Sequence, residues 1–117
     1  MPARLTLRAG VLAGLIGLLF PTAWATTAAP PTERQQTLSH LLRQECGSCH
    51  GLHLNGGLGP ALTRSALAGQ RPEQLADTIL QGRPGTAMPG WSRFLNKSEA
   101  QWLAEQLLNS NTPLALP

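Results

Sequence analysis

Apolar positions in this 117-residue chain recur at helical rather than alternating spacing. Leu38, Leu41 and Leu42 fall on one face of a first helix starting at Thr32, where Gln35 three residues on completes a capping-box pattern. That helix runs into Cys46, and because Leu42 and Cys46 are four apart they point the same way. His40 lies off the stripe and reads as a solvated histidine. A short helical turn is expected from Ala61 to Leu67, ending at Gly69. Pro72 at a first-turn position, Glu73 beside it, apolar Leu75, Ala76, Ile79 and Leu80, and Gly82 just past the end punctuate a second helix. Asn96 and Glu99 form a reciprocal cap for the last helix, in which Ala100, Leu103, Ala104, Leu107 and Leu108 recur. The first and last helices are the longest amphipathic elements, so they are expected to pack together. No stretch alternates as a strand does, and the fold class is all-α, with three to five helices.

Upstream of these elements, Arg4 and Arg8 precede an apolar run from Ala9 to Phe20, and Ala23-Trp24-Ala25 is an A-x-A cleavage signal. The run is about a dozen residues, short of the roughly 20 that span hydrocarbon, which favours a cleaved leader over an uncleaved anchor. The chain is therefore read as a secretory signal peptide at 1–25, a flexible arm at 26–31, one domain at 32–109 and a flexible tail at 110–117. Beyond residue 25, seven arginines and lysines face six carboxylates, a net charge of +1. The pI of 9.7 belongs to the whole chain, and the near-neutral remainder gives nucleic-acid binding no electrostatic basis. That remainder has no tyrosine, and its aromatic residues are Trp91, Phe94 and Trp102. So thin a core is expected to rely on a buried prosthetic group, leaving the apoprotein unfolded or molten.

The candidate chemistry sits at Cys46-Gly47-Ser48-Cys49-His50. In a chain with a secretory leader, C-x-x-C-H is a haem c attachment motif: two thiols form thioethers with the porphyrin, and the next histidine lies beneath the ring. A zinc site lacks a second ligand pair, because His40 and His53 are the other histidines and no third cysteine exists. A thioredoxin-type dithiol lacks the surrounding βαβ pattern and leaves His50 without a task; a structural disulfide is the remaining rival. The glycine-rich stretch that follows, Gly51, Gly56, Gly57 and Gly59 before Pro60, is unsuited to a phosphate loop, since Pro60 has no amide to offer. It reads as backbone closely approaching a flat ring. A carbonyl at Pro60 would accept the Nδ1 proton of His50, orienting the ligand, although Pro60 equally suits a role as turn stiffener. His53 is too close in sequence to His50 to reach the opposite face.

Arg83 to Trp91 contains two prolines and two glycines and is expected to be a loop of restricted shape. Met88, the one methionine beyond the leader, is held there between prolines and is the candidate sixth iron ligand. Trp91 is a candidate to pack on the haem edge and donate its N–H to a propionate, with plain core packing equally compatible. Arg83 is a candidate propionate partner against a default of solvation. With His50 and Met88 as metal ligands, the iron has no open position, and the expectation is an electron carrier, not an enzyme.

These residues carry a resemblance. A helix into C-x-x-C-H, Gly-Pro soon after, Met-Pro later and an amphipathic last helix resemble the class I cytochrome c fold. Gly56–Leu62, Gly82–Trp91 and Glu99-Ala100-Gln101-Trp102-Leu103 resemble, more narrowly, cytochrome c55X of denitrifying bacteria, and the likeness covers nearly all of residues 34–108. It implies a monomeric periplasmic monohaem protein with Cys46 and Cys49 as attachment sites and His50 and Met88 as axial ligands. It also implies electron exchange with cytochrome cd-type nitrite reductase, or with an enzyme that matures its haem d. A role in haem d biogenesis is thus the alternative, and a small haem peroxidase a more distant one. Many class I proteins have a glycine and an aromatic where this chain has Leu38 and Leu42, and a late aromatic where it has Gln106. The helix contact is accordingly expected to be aliphatic, with Trp102 its one aromatic.

Overall fold

The computed structural model describes residues 28–109 and contains four α-helices and, among those residues, no strand. The leader at 1–25, the first two residues of the arm and the tail at 110–117 lie outside the described residues. Helix α1 covers Thr32–Leu41 and continues through a π-helical turn, Leu42–Cys46, into the short α2, Gly47–His50. The remaining helices are α3, Pro72–Gln81, and α4, Lys97–Asn109.

The start of α1 differs from expectation. Pro31, not Thr32, is the N-cap, and no side chain caps the helix. The rigid Pro30-Pro31 pair presets the entry: the Gln35 amide donates to the Pro31 carbonyl at 2.9 Å, and the Gln35 side chain donates to the Pro30 carbonyl at 2.8 Å. Gln35 is thereby occupied outside the box the sequence suggests. Helix α4 begins as expected, with Asn96 Oδ1 accepting from Glu99 N at 3.0 Å and Glu99 Oε2 accepting from Asn96 N at 2.9 Å. Helix α3 has Pro72 in its first turn and Gly82 as C-cap, again as expected. Residues 61–70 form turns without a helix: a bond from Leu67 N to Thr63 O at 3.0 Å closes one turn that does not propagate.

The core is aliphatic apart from Trp102. Leu38 and Leu42 enter it from the first helix, Leu75 and Ala76 from α3, and Ala100, Leu103, Ala104 and Leu107 from α4, while Leu54, Leu67 and Leu95 reach it from loops. Truncating one of the fully enclosed leucines would cost about 2–5 kcal/mol. The principal neighbour of α4 is α3, not α1. The first half of α1 is polar, so it offers α4 apolar surface only around Leu38 and Leu42, whereas α3 presents Leu75, Ala76, Ile79 and Leu80 along its length. What joins α1 to α4 includes an ion pair, Arg34 Nε to Glu99 Oε1 at 2.6 Å.

Candidate functional site

The motif cysteines sit where the first helix ends. The helix widens over Leu42–Cys46, so that the Gly47 amide bonds back five residues to the Leu42 carbonyl. π-Turns of this kind recur at functional sites. Cys46 is half-buried against the core and Cys49 is exposed; both are free thiols. Burial, with the nearby Glu45 charge adding to it, pushes the Cys46 thiol up to about 11, so it is protonated at neutral pH.

His50 is buried, and its Nδ1 lies 2.6 Å from the Pro60 carbonyl oxygen. That acceptor fixes the tautomer: Nδ1 carries the proton and donates, leaving the Nε2 lone pair free for a metal. The loop that delivers Pro60 is wound onto the motif by backbone bonds. Gly56 N donates to His50 O at 2.8 Å, Gly59 N to Cys49 O at 2.8 Å, and Leu62 N to Leu54 O at 2.9 Å. The flat ring that glycine admits here is the imidazole itself. A Cβ on Gly59 would sit 2.7 Å from Cε1 and 2.8 Å from Nδ1 of His50. The sequence flags the glycine and the carbonyl but not this contact between Gly59 and the ring. His40 and His53 are exposed.

Met88 belongs to a second loop, built differently. Gly82 has φ +70°, and a Cβ there would lie 2.6 Å from Gly90 N, Met88 O and Pro89 C. The loop is therefore pressed backbone to backbone against the end of α3. Arg83 N donates to Met88 O at 3.2 Å, Trp91 N to Ile79 O at 3.1 Å, and Ser92 N to Leu80 O at 3.1 Å. Thr86 braces the bend, its hydroxyl donating to Arg83 O at 2.7 Å and accepting from Met88 N at 3.3 Å. Met88 is partly exposed, and the Arg83 side chain is exposed. Trp91 is half-buried against the core and tilted on Phe94, ring centroids 5.8 Å apart at 57°, so core packing is at least one of its tasks. Sequence reading did not single out Arg34, whose pairing with Glu99 ties the first helix to the last.

A helical domain folded onto C-x-x-C-H, with a carbonyl holding the histidine by Nδ1 and two thiols left unpaired, defines a small c-type cytochrome. The donor set suits haem c: two thiols one helical turn apart and one imidazole with Nε2 available. Comparison with known proteins agrees. The family model described as cytochrome c oxidase, cbb3-type, subunit III matches residues 33–106. Cytochrome c55X of Stutzerimonas stutzeri is 59% identical over 91 residues, which are 78% of this chain and 79% of that protein. A solved c-type cytochrome NirC superposes with a TM-score of 0.69 at 52% identity, covering 72% of this chain and all of that one. Dihydro-heme d1 dehydrogenase of Pseudomonas aeruginosa is 40% identical over 67 residues, 57% of this chain but 14% of that larger protein. The chain belongs to the cytochrome c55X family. Like other c-type cytochromes, it is a haem c protein.

Proposed function

We propose that this protein is a periplasmic carrier of single electrons, attached to its haem through Cys46 and Cys49, with His50 and Met88 as axial ligands. The observation that carries the reading is the 2.6 Å contact between His50 Nδ1 and the Pro60 carbonyl. An imidazole held in this way is oriented, tautomerically fixed and made more basic at Nε2 before any metal arrives. When bound, haem supplies a one-electron couple. The chain's residues would set its conditions: the His50 imidazole together with the soft Met88 thioether sulfur would favour the ferrous state relative to two nitrogen ligands. With His50 and Met88 both held to the iron, no position would be left for substrate, and the chemistry would be carriage of electrons rather than catalysis. Trp91 lines the same loop as Met88 and serves as the candidate donor to a propionate.

The partner is cytochrome cd-type nitrite reductase, in keeping with the resemblance to cytochromes of denitrifying bacteria. A second reading, electron acceptance during haem d biogenesis, is favoured by the match to a domain-sized part of dihydro-heme d1 dehydrogenase. A deletion strain separates the two: reductase that folds without haem d points to biogenesis, and fully loaded reductase starved of electrons points to delivery. Export is tested by the N-terminus of the mature protein, expected at Thr26.

Met88→Ala tests the ligand set directly. The oxidised protein is expected to show the weak red-end band of ferric iron bound to methionine sulfur, and the variant to lose it while keeping covalent haem. A high-spin ferric spectrum in the unaltered protein, with fast binding of cyanide, would sink the carrier reading in favour of a catalytic haem.

A further inference from the structure

Among residues 51–60, which carry the chain from His50 to the carbonyl that holds it, Leu54 alone is buried, at 1% exposure. It is also the one non-glycine residue with a left-handed backbone among the described residues, φ 55°. Leucine avoids that region because its Cβ crowds the following carbonyl oxygen, whereas glycine enters it freely. The loop is not short of glycine, with Gly51, Gly56, Gly57 and Gly59. A leucine stands at 54 nonetheless, so the position requires a side chain that reaches the core, and its burial there keeps the strained backbone in place. Strain of this kind persists where its surroundings over-determine it, and it gathers at functional sites.

The main chain of Leu54 shows what this anchor serves. Its amide donates to the Gly51 carbonyl at 2.8 Å, one residue past His50, and its carbonyl accepts from the Leu62 amide at 2.9 Å, two residues past Pro60. One residue therefore ties the histidine end of the loop to the carbonyl end. Two further bonds fasten the loop to the motif, Gly56 N to His50 O and Gly59 N to Cys49 O, but glycines have no side chain with which to grip the core. The 2.6 Å separation of His50 Nδ1 and Pro60 O thus depends on how deeply Leu54 is seated.

We infer that Leu54 is the positioning residue for the contact between His50 and Pro60: its seating in the core holds the carbonyl at hydrogen-bond distance from Nδ1 and so sets how strongly Nε2 donates. The role rests on the carrier reading above, because donor strength acts through the iron that His50 would bind. A residue 54 that loses its seat releases the Leu62 bond and lets Pro60 draw away from the ring. Nε2 is then a poorer donor to ferric iron, and the midpoint potential rises.

Variants of the holoprotein separate this role from plain core packing. Leu54→Ala is expected to shift the His50 Nδ1–H resonance and to lower the ferric-to-ferrous ratio at a fixed applied potential by about tenfold, the lower end of what disturbing a ligand's hydrogen-bond partner costs. Leu54→Gly relieves the backbone strain but has no anchor, and it should behave like Leu54→Ala; Leu54→Met should retain both original values. Leu38→Ala empties an equally enclosed place on α1 and should lower Tm without moving either readout. Should Leu54→Ala fail to fold, hydrogen exchange in the unaltered ferrous protein decides, the Leu62 amide and His50 Nδ1–H being expected to open together with one opening constant. Any of these results overturns the inference: Leu54→Gly keeping the original potential, Leu38→Ala moving it as far as Leu54→Ala does, the potential moving while Nδ1–H stays, or Nδ1–H opening independently of Leu62. An iron without a histidine ligand would show in the unaltered protein before any substitution, and would overturn the carrier reading together with this role.

Discussion

Loop 51–60 holds His50 by its ring, whereas loop 82–91 holds Met88 by its backbone. In the first, a carbonyl meets Nδ1 and the imidazole occupies the space that a Cβ on Gly59 would take, so ring rotation and tautomer are both fixed. In the second, Gly82 and Gly90 lock the loop onto the end of α3 and Thr86 braces its bend, but these contacts stop at the Met88 main chain. The difference suits the two donors proposed above. Imidazole is planar, and its donor strength depends on what its other nitrogen bonds. A thioether is flexible and has no proton to fix, so placing its backbone within reach is enough.

The largest expected effect on the histidine comes from breaking the first loop. In Gly59→Ala the new methyl would overlap the His50 ring, displacing it from Pro60. Overpacking and a strained hydrogen bond together should cost the holoprotein about 3–4 kcal/mol in urea unfolding. With a poorer carbonyl acceptor, Nε2 becomes a weaker donor to ferric iron, and the midpoint potential should rise. An unchanged potential and an unchanged Nδ1–H resonance would show that the ring does not depend on Gly59.

A comparable loss of stability, with a smaller effect on the histidine, is expected from the second loop. Gly82→Ala combines left-handed strain with an overlap on the backbone atoms Met88 O, Gly90 N and Pro89 C, about 2–5 kcal/mol. Its signature should be the reverse of the first: the Nδ1–H resonance of His50 stays in place, while the red-end ferric band weakens as the methionine is released. If both variants moved both signals, the two loops would have to be treated as one unit.

The first loop was the more legible of the two because C-x-x-C-H followed by Gly-Pro constrains both ends of the contact. The Asn96–Glu99 box was legible for the same reason: two side chains at fixed spacing, each meeting the other's backbone. Thr32 and Gln35 had the same spacing, but Pro30 and Pro31 competed for Gln35, and local patterning does not rank such competitors. The π-turn was invisible because a four-residue separation of Leu42 and Cys46 satisfies an α-helix equally well. Amphipathicity marked α4 as packed without saying that α3 would be its main neighbour. Glycines announce the absence of a Cβ, not what fills its volume, and so the roles of Gly59 and Gly82 as seats for a ring and for a loop needed the structure.

A third tie, remote from both loops, is expected to matter least and to show itself through pH. The Arg34 side chain, bonded to the Glu99 carboxylate, holds that acid below its usual range, and the Asn96 amide adds to the effect. Because the folded protein binds this proton more weakly than the unfolded chain does, the pair's contribution is present above the ordinary glutamate range near 4.3 and is lost as pH falls through the folded value. Arg34 is about one-third exposed, so screening trims the pair to about 1 kcal/mol. Glu99→Gln keeps a capping oxygen and removes the charge. It should lower stability by that amount at pH 7 and leave it unchanged at pH 2, flattening the acid limb of a Tm-against-pH curve. Parallel curves for the two proteins would mean that the cap, not the ion pair, is what Glu99 contributes. The red-end band should not move in either case, which separates the strap between α1 and α4 from the loop that holds Met88.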